Sequence, residues 1–323
     1  MTLREWIEKN PQRKYIMFGG KGGLGKTTFS AAAALWLAER GKKVLVFSVD
    51  PQASLSDIFE RNIFGQGAVQ IRENLWAQEI DADRHIKNFQ DQIKRKILDM
   101  YGLDKIPEEI ESYMAAAAAE PAMEESAIFD AVVDIVLKDD YDYYIYDLVP
   151  LGHALYYLSM ASIYDAWINK ITDLRKQMAD YDKVVAKFQS ETDQEEDLIL
   201  GELIDIKNRI NTSSRIFTDK ERTSFFFVLT PEELTVLDTL KAAELFSKYQ
   251  VPISGYVVNR ALSPDMLKGD IPGYLRNKIA TQKGPIQSIR EKFGEKVLGW
   301  VPEFERDITG FDMIRKVADT LFV

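Results

Sequence analysis

Residues Phe18–Ser30 read FGGKGGLGKTTFS. Within this stretch Gly20-x-x-x-x-Gly25-Lys26-Thr27 has the spacing of a phosphate-binding loop. An apolar run, Tyr15-Ile-Met-Phe18, precedes it, and an alanine-rich apolar run follows from Phe29. The loop is therefore expected to join a strand to a helix. Gly20, Gly22, Gly23 and Gly25 carry no Cβ, so the backbone N–H groups of this run, that of Leu24 included, can converge on phosphate oxygens. The N-terminus of the next helix faces the same anion. In such a loop Lys26 reaches the β- and γ-phosphates, and the Thr27 hydroxyl ligates Mg²⁺. Thr28, one residue on, is expected beside the α-phosphate. One lysine is enough for this work, so the second, Lys21, requires another role.

Working outward, further short apolar runs alternate with helical patterns. Val44–Val49 leads into Asp50, and Tyr143–Tyr146 leads into Asp147. Phe225–Leu229, Ile253–Val258 and Val297–Val301 follow. Runs of this kind suit strands buried on both faces of a mostly parallel sheet. The expected fold is α/β: a doubly wound P-loop sheet in a single domain over residues 1–323. Two segments break the alternation, at about 83–138 and 156–217, and are predicted to form an inserted helical subdomain. In the second, Ile171, Leu174, Met178, Tyr181, Val185 and Phe188 step by three and four. After the acidic break Glu191–Asp197, the series Ile199, Leu203, Ile206, Ile210 continues. These two seams predict a helical hairpin that buries its own apolar faces.

Composition removes several function classes. A net charge of −10 and a pI near 5.0 argue against a broad basic surface for nucleic acid. With no cysteine, thiol catalysis, disulfides and thiolate metal sites are excluded, so no structural zinc is expected. His85 and His153 are the only histidines. The N-terminus MTLREWIEKN is charged and lacks an apolar core, so no signal peptide is predicted and the expected location is cytoplasmic.

With its first lysine, Lys21-Gly-Gly-x-Gly-Lys26-Thr27 resembles the deviant Walker A loop of MinD, ParA, the nitrogenase iron protein and the ArsA/tail-anchored-protein-targeting ATPases. The resemblance implies that Lys21 reaches across a homodimer interface to the partner's nucleotide. A cation supplied in trans would stabilise phosphoryl charge only when the dimer has closed. Two motifs separate the branches. Ser48–Asp57 (SVDPQASLSD) resembles the ArsA-type switch at both ends, although its Asp-Pro-Gln start also looks like ParA. Asp50 there is the candidate to orient the attacking water and to approach Mg²⁺ through water. Asp147–Leu155 (DLVPLGHAL) is similar to the second switch of the ArsA and targeting ATPases, whose Gly-His pair ParA and MinD lack. Leu148 and Leu151 replace threonines usual in that switch. Asp147 is expected to hold Mg²⁺ through water, and His153 to couple the switch to the helical subdomain.

Pro121–Ser126, Thr230–Leu237, Val257–Arg260 and Val301–Pro302 extend the resemblance over nearly the whole chain. It implies that Asn259 reads the adenine edge and that the loop beginning Val301-Pro302 packs on the base. The expected activity is Mg-dependent ATP hydrolysis by a nucleotide-switched homodimer, resembling the arsenical pump-driving and targeting ATPases. The alternative is a ParA/MinD-like positioning ATPase. Partners implied are a hydrophobic protein client or a membrane transporter subunit. The targeting proteins line their client groove with methionine. Met100, Met114, Met123, Met160 and Met178 fall in the predicted helical subdomain, where they also suit an ordinary core.

Overall fold

The computed structural model describes residues 1–49, 52–81, 131–148, 218–263 and 271–323, with scattered helical positions between 83 and 98 and between 208 and 216. Contacts divide the chain into two compact units: Met1–Asp81, Lys138–Leu155 and Thr218–Val323 in one, and Ala82–Leu137 with Tyr156–Phe217 in the other.

The first unit is built on an eight-stranded sheet. In chain order its elements are α1 (Leu3–Lys9), β1 (Tyr15–Gly19), α2 (Lys26–Ala38), β2 (Val44–Ser48), α3 (Ser54–Phe59), β3 (Val69–Arg72), β4 (Leu75–Glu79) and β5 (Tyr143–Asp147). These are followed by β6 (Thr223–Leu229), α4 (Glu233–Lys248), β7 (Ile253–Ala261), α5 (Gly273–Phe293), β8 (Val297–Pro302) and α6 (Gly310–Leu321). The strand order is β3-β4-β2-β5-β1-β6-β7-β8. Every pairing is parallel except β3 with β4. The six strands expected from the apolar runs are all present. The sequence reading did not include β3 and β4.

Strands β1, β2, β5 and β6 are buried at every position, as strands covered on both faces must be. On one face, alternate residues Ile16, Phe18, Val44, Val46, Ile145, Phe226 and Val228 meet α1, α2, α3 and α6 in a single apolar core. On the other face Phe225 and Phe227 pack on Phe246 of α4, with ring centroids 4.4 and 5.1 Å apart, and Tyr256 packs on Phe293 of α5 at 4.2 Å. On β5, desolvation pushes Tyr144 up to about 12, so this interior tyrosine stays neutral. Helix α2 is buried almost all round, because its run Ala31–Ala34 lets it lie close to the sheet and to α6. Phe29 and Leu35 fill what the alanines leave, and truncating Leu35 to alanine would cost about 2–5 kcal/mol. This packing fixes the helix that carries Lys26 and Thr27. Among the described residues no helix is long and apolar enough to cross a membrane.

Candidate nucleotide site

The register brings four strand ends to one edge. Phe18 and Ser48 both lie opposite Asp147, and Ser48 also lies opposite Glu79. The strands β1, β5, β2 and β4 are parallel, so these residues mark their carboxyl ends, where open α/β sheets bind ligands.

The loop from β1 to α2 crosses this edge. Gly20 has φ 154°, and a Cβ there would stand 2.5 Å from the Val228 carbonyl oxygen of β6. Gly25 has φ 99° and caps α2, and a Cβ on it would run into the Asn259 amide. At both positions glycine is required by backbone angle and by a neighbour. Around Gly22 and Gly23 the space is open, which leaves the loop's face bare. Lys26, the first residue of α2, is 9% exposed, and its Nζ donates to the Lys21 carbonyl at 3.3 Å. The side chain thus curls back along the loop.

Thr27 and Thr28 lie in the first turn of α2. Thr27 Oγ1 donates to Asp147 Oδ2 at 2.6 Å, and Ser30 Oγ donates to Asp147 Oδ1 at 3.4 Å. Positions 27 and 30 are neighbours on one helix face, which is why both reach the same carboxylate. Asp147 itself is 3% exposed. Its carboxylate and the Thr27 hydroxyl are hard oxygen donors, the type Mg²⁺ prefers. Two such donors are too few to complete a shell, so a cation here would also need substrate oxygens and water.

Asn259, on β7, is buried. Its Nδ2 donates to the Leu24 carbonyl at 2.8 Å and its Oδ1 accepts from the Arg260 N–H at 2.9 Å. An asparagine amide has two N–H donors and two lone pairs, and one of each is used here. Pro302 is exposed at the end of β8, on a cavity of about 440 Å³ that Leu262, Ile286 and Trp300 also line. Lys21 stands apart from these groups: its exposed ammonium lies 3.2 Å from Asp238 Oδ2 on α4. Asp50, His153 and the five methionines lie outside the described residues, as do the seams of the expected hairpin at Ile171–Phe188 and Ile199–Ile206.

Sequence reasoning missed three side chains. Ser30 was signalled by its spacing of three from Thr27. Asp238 carries no local signal, since its partner lies 217 residues away. Glu79 ends a strand that was not anticipated, although the alternation Leu75-Trp76-Ala77-Gln78-Glu79 would have turned it inward.

The profile of the anion-transporting ATPase family matches residues 13–323. "ATPase ASNA1 homolog 2" of Paramecium tetraurelia is 28% identical over 99% of this chain and 96% of its own length. "Putative arsenical pump-driving ATPase 2" of Aquifex aeolicus is 28% identical over 95% of this chain and 99% of its own. "ATPase GET3C" of Arabidopsis thaliana is 27% identical over 99% and 85%. These matches do not favour the ParA/MinD-like alternative. With a phosphate loop opening onto the carboxyl edge of a mostly parallel sheet and a family match over nearly its full length, the chain belongs to the anion-transporting ATPase family and is an ATP-hydrolysing enzyme.

Proposed function

We propose that this enzyme is a Mg²⁺-dependent ATPase that works as a nucleotide-switched homodimer and uses closure to act on a hydrophobic client or a transporter subunit. The observation that carries the nucleotide reading is the 2.6 Å hydrogen bond from Thr27 to Asp147 at the start of α2. It joins the phosphate loop to the end of β5, the two groups that would hold the cation, Asp147 through water. Bound there, Mg²⁺ would neutralise phosphate charge.

In this reading the backbone N–H groups of Gly20–Gly25 cradle the phosphates, and Lys26 swings from the Lys21 carbonyl to the β- and γ-phosphates of its own subunit. Thr28 lies beside the α-phosphate. Asp50, two residues beyond the buried end of β2, orients the water that attacks the γ-phosphorus as the bond to the β-phosphate oxygen breaks. Positioning suffices here, so an ordinary carboxylate can do it. The amide of Asn259 has one N–H and one lone pair left for an adenine edge, with Pro302 against the base. Lys21 exchanges Asp238 for the neighbour's nucleotide when the dimer closes. Its exposed ion pair is worth roughly 0.2–1 kcal/mol, small enough for that exchange.

Arsenic appears in the name of the Aquifex relative. In this chain soft As(III) would find no thiolate, so an apolar client or a transporter subunit is the better fit. The cytoplasm is the proposed location. The test separates the two ends of the proposed machinery. Lys26→Ala should weaken ATP binding about 100-fold, whereas Thr27→Ala should mainly abolish the Mg²⁺ dependence of binding and hydrolysis. If Thr27→Ala retained wild-type hydrolysis with unchanged Mg²⁺ dependence, the cation assignment would be wrong.

A further inference from the structure

Helix α3 begins in an unusual way. Its N-cap is Ala53, held at φ 50° and ψ 38° in the left-handed region, with no side-chain hydrogen bond to the helix. Alanine has no group that can cap, and left-handed backbone is costly for it. The cap is supplied from β4. Glu79, 1% exposed, accepts from the Leu55 N–H through Oε1 at 2.6 Å and from the Ser56 hydroxyl through Oε2. Ser56 Oγ in turn accepts from the Ile63 N–H at 3.0 Å, which ties the chain beyond α3 to the same carboxylate. The Glu79 backbone oxygen accepts from the Gly65 N–H at 3.1 Å. Among the described residues no lysine or arginine forms an ion pair with Glu79. Among the described residues its buried carboxyl is therefore satisfied by the start of α3 alone. Leaving it or the Leu55 N–H without a partner would be expensive, so the arrangement is stiff.

The position of this clamp along the chain gives it a consequence. On one side of residues 50–53 the backbone is fixed by the sheet, where Ser48 pairs with both Glu79 and Asp147 and its carbonyl accepts from the Ile80 N–H at 3.0 Å. On the other side it is fixed at Leu55 and Ser56 by Glu79. We infer that Glu79 is a positioning residue for ATP hydrolysis: its carboxylate anchors the start of α3, and so limits where the short connection from β2 can place its side chains. The inference rests on the reading of Asp50 given above. It concerns the rate of the chemical step and not nucleotide affinity, because among the described residues no hydrogen bond or ion pair joins Glu79 to the phosphate loop.

The experiment measures ATP affinity and single-turnover hydrolysis for Glu79→Ala and Glu79→Gln. Glutamine keeps an oxygen for the Leu55 N–H and can donate its amide to Ser56. Glu79→Ala should lower kcat by about 10- to 100-fold, the scale of a small misplacement of a reacting group, with Kd for ATP within about twofold. Glu79→Gln should recover most of the rate. If Glu79→Ala fails to fold, Ser56→Ala removes one partner of the carboxylate and should give a smaller loss of kcat with the same unchanged Kd. An unchanged kcat would overturn the inference, as would Kd and kcat worsening together without rescue by glutamine. Asp50→Asn is measured alongside. If that variant hydrolyses ATP normally, the reading of Asp50 fails by itself; if it is inactive while Glu79→Ala and Ser56→Ala keep the wild-type rate, only the clamp fails.

Discussion

Helices α2 and α3 follow β1 and β2, the two strands that flank β5 on one edge of the sheet, but they are started in opposite ways. Helix α2 opens from Gly25, whose positive φ costs little, and its first residues Lys26 and Thr27 follow directly in a local motif. Helix α3 opens from Ala53, also at positive φ, but with an alanine that can neither cap nor relax. What it lacks is returned by Glu79, 24 residues away in sequence. The start of α2 is thus written in adjacent residues, and the start of α3 depends on the folded sheet. A start held by a distant carboxylate is coupled to the strand that carries it.

The comparison can be broken most severely at Gly25. Gly25→Ala puts a Cβ into the Asn259 amide at a φ that alanine resists, so the loop must move. ATP affinity, read by calorimetric titration, should fall by about 100-fold or more, while the fold persists. The matched change at the other helix is Ala53→Gly. There the gain from relieving left-handed backbone is largely offset by the greater freedom of glycine in the unfolded chain. Stability to urea should change by less than about 1 kcal/mol, and ATP affinity should not change. A loss of ATP affinity in that variant would mean that the start of α3 also shapes the phosphate site. The smallest effect is expected at Asp238. Asp238→Asn frees Lys21 from an exposed ion pair and should raise hydrolysis at limiting protein concentration by about two- to fivefold, less at high salt. A fall in rate would show that Asp238 orients Lys21 productively.

The same contrast explains what could be read in the sequence. Six strands announced themselves as apolar runs, and Gly20–Thr27 as a spacing. Asp147 was legible because it follows such a run, and its partner Thr27 belongs to the motif. By contrast, the polar Gln78 and half-buried Trp76 of β4 break the apolar run, so neither the strand nor Glu79 was anticipated. Asp238 and Asn259 meet the phosphate loop across more than 200 residues. The motif around Val257–Arg260 suggested a base contact for Asn259. What the fold adds is that Asn259 also braces the loop through Leu24, and that bracing is the reason Gly25 has no room for a Cβ.

The central claim is that Lys26 serves its own subunit's nucleotide and Lys21 the neighbour's. Mixing two inactive variants tests it most directly. In a dimer of one Lys21→Ala subunit and one Asp50→Asn subunit, one site keeps its own Asp50 and receives Lys21 from the partner. An equimolar mixture should therefore recover roughly a quarter of the wild-type hydrolysis rate, since half of the dimers are mixed and each has one complete site. No recovery from a mixture shown to exchange subunits would contradict the claim, because it would mean that Lys21 and Asp50 must belong to the same chain.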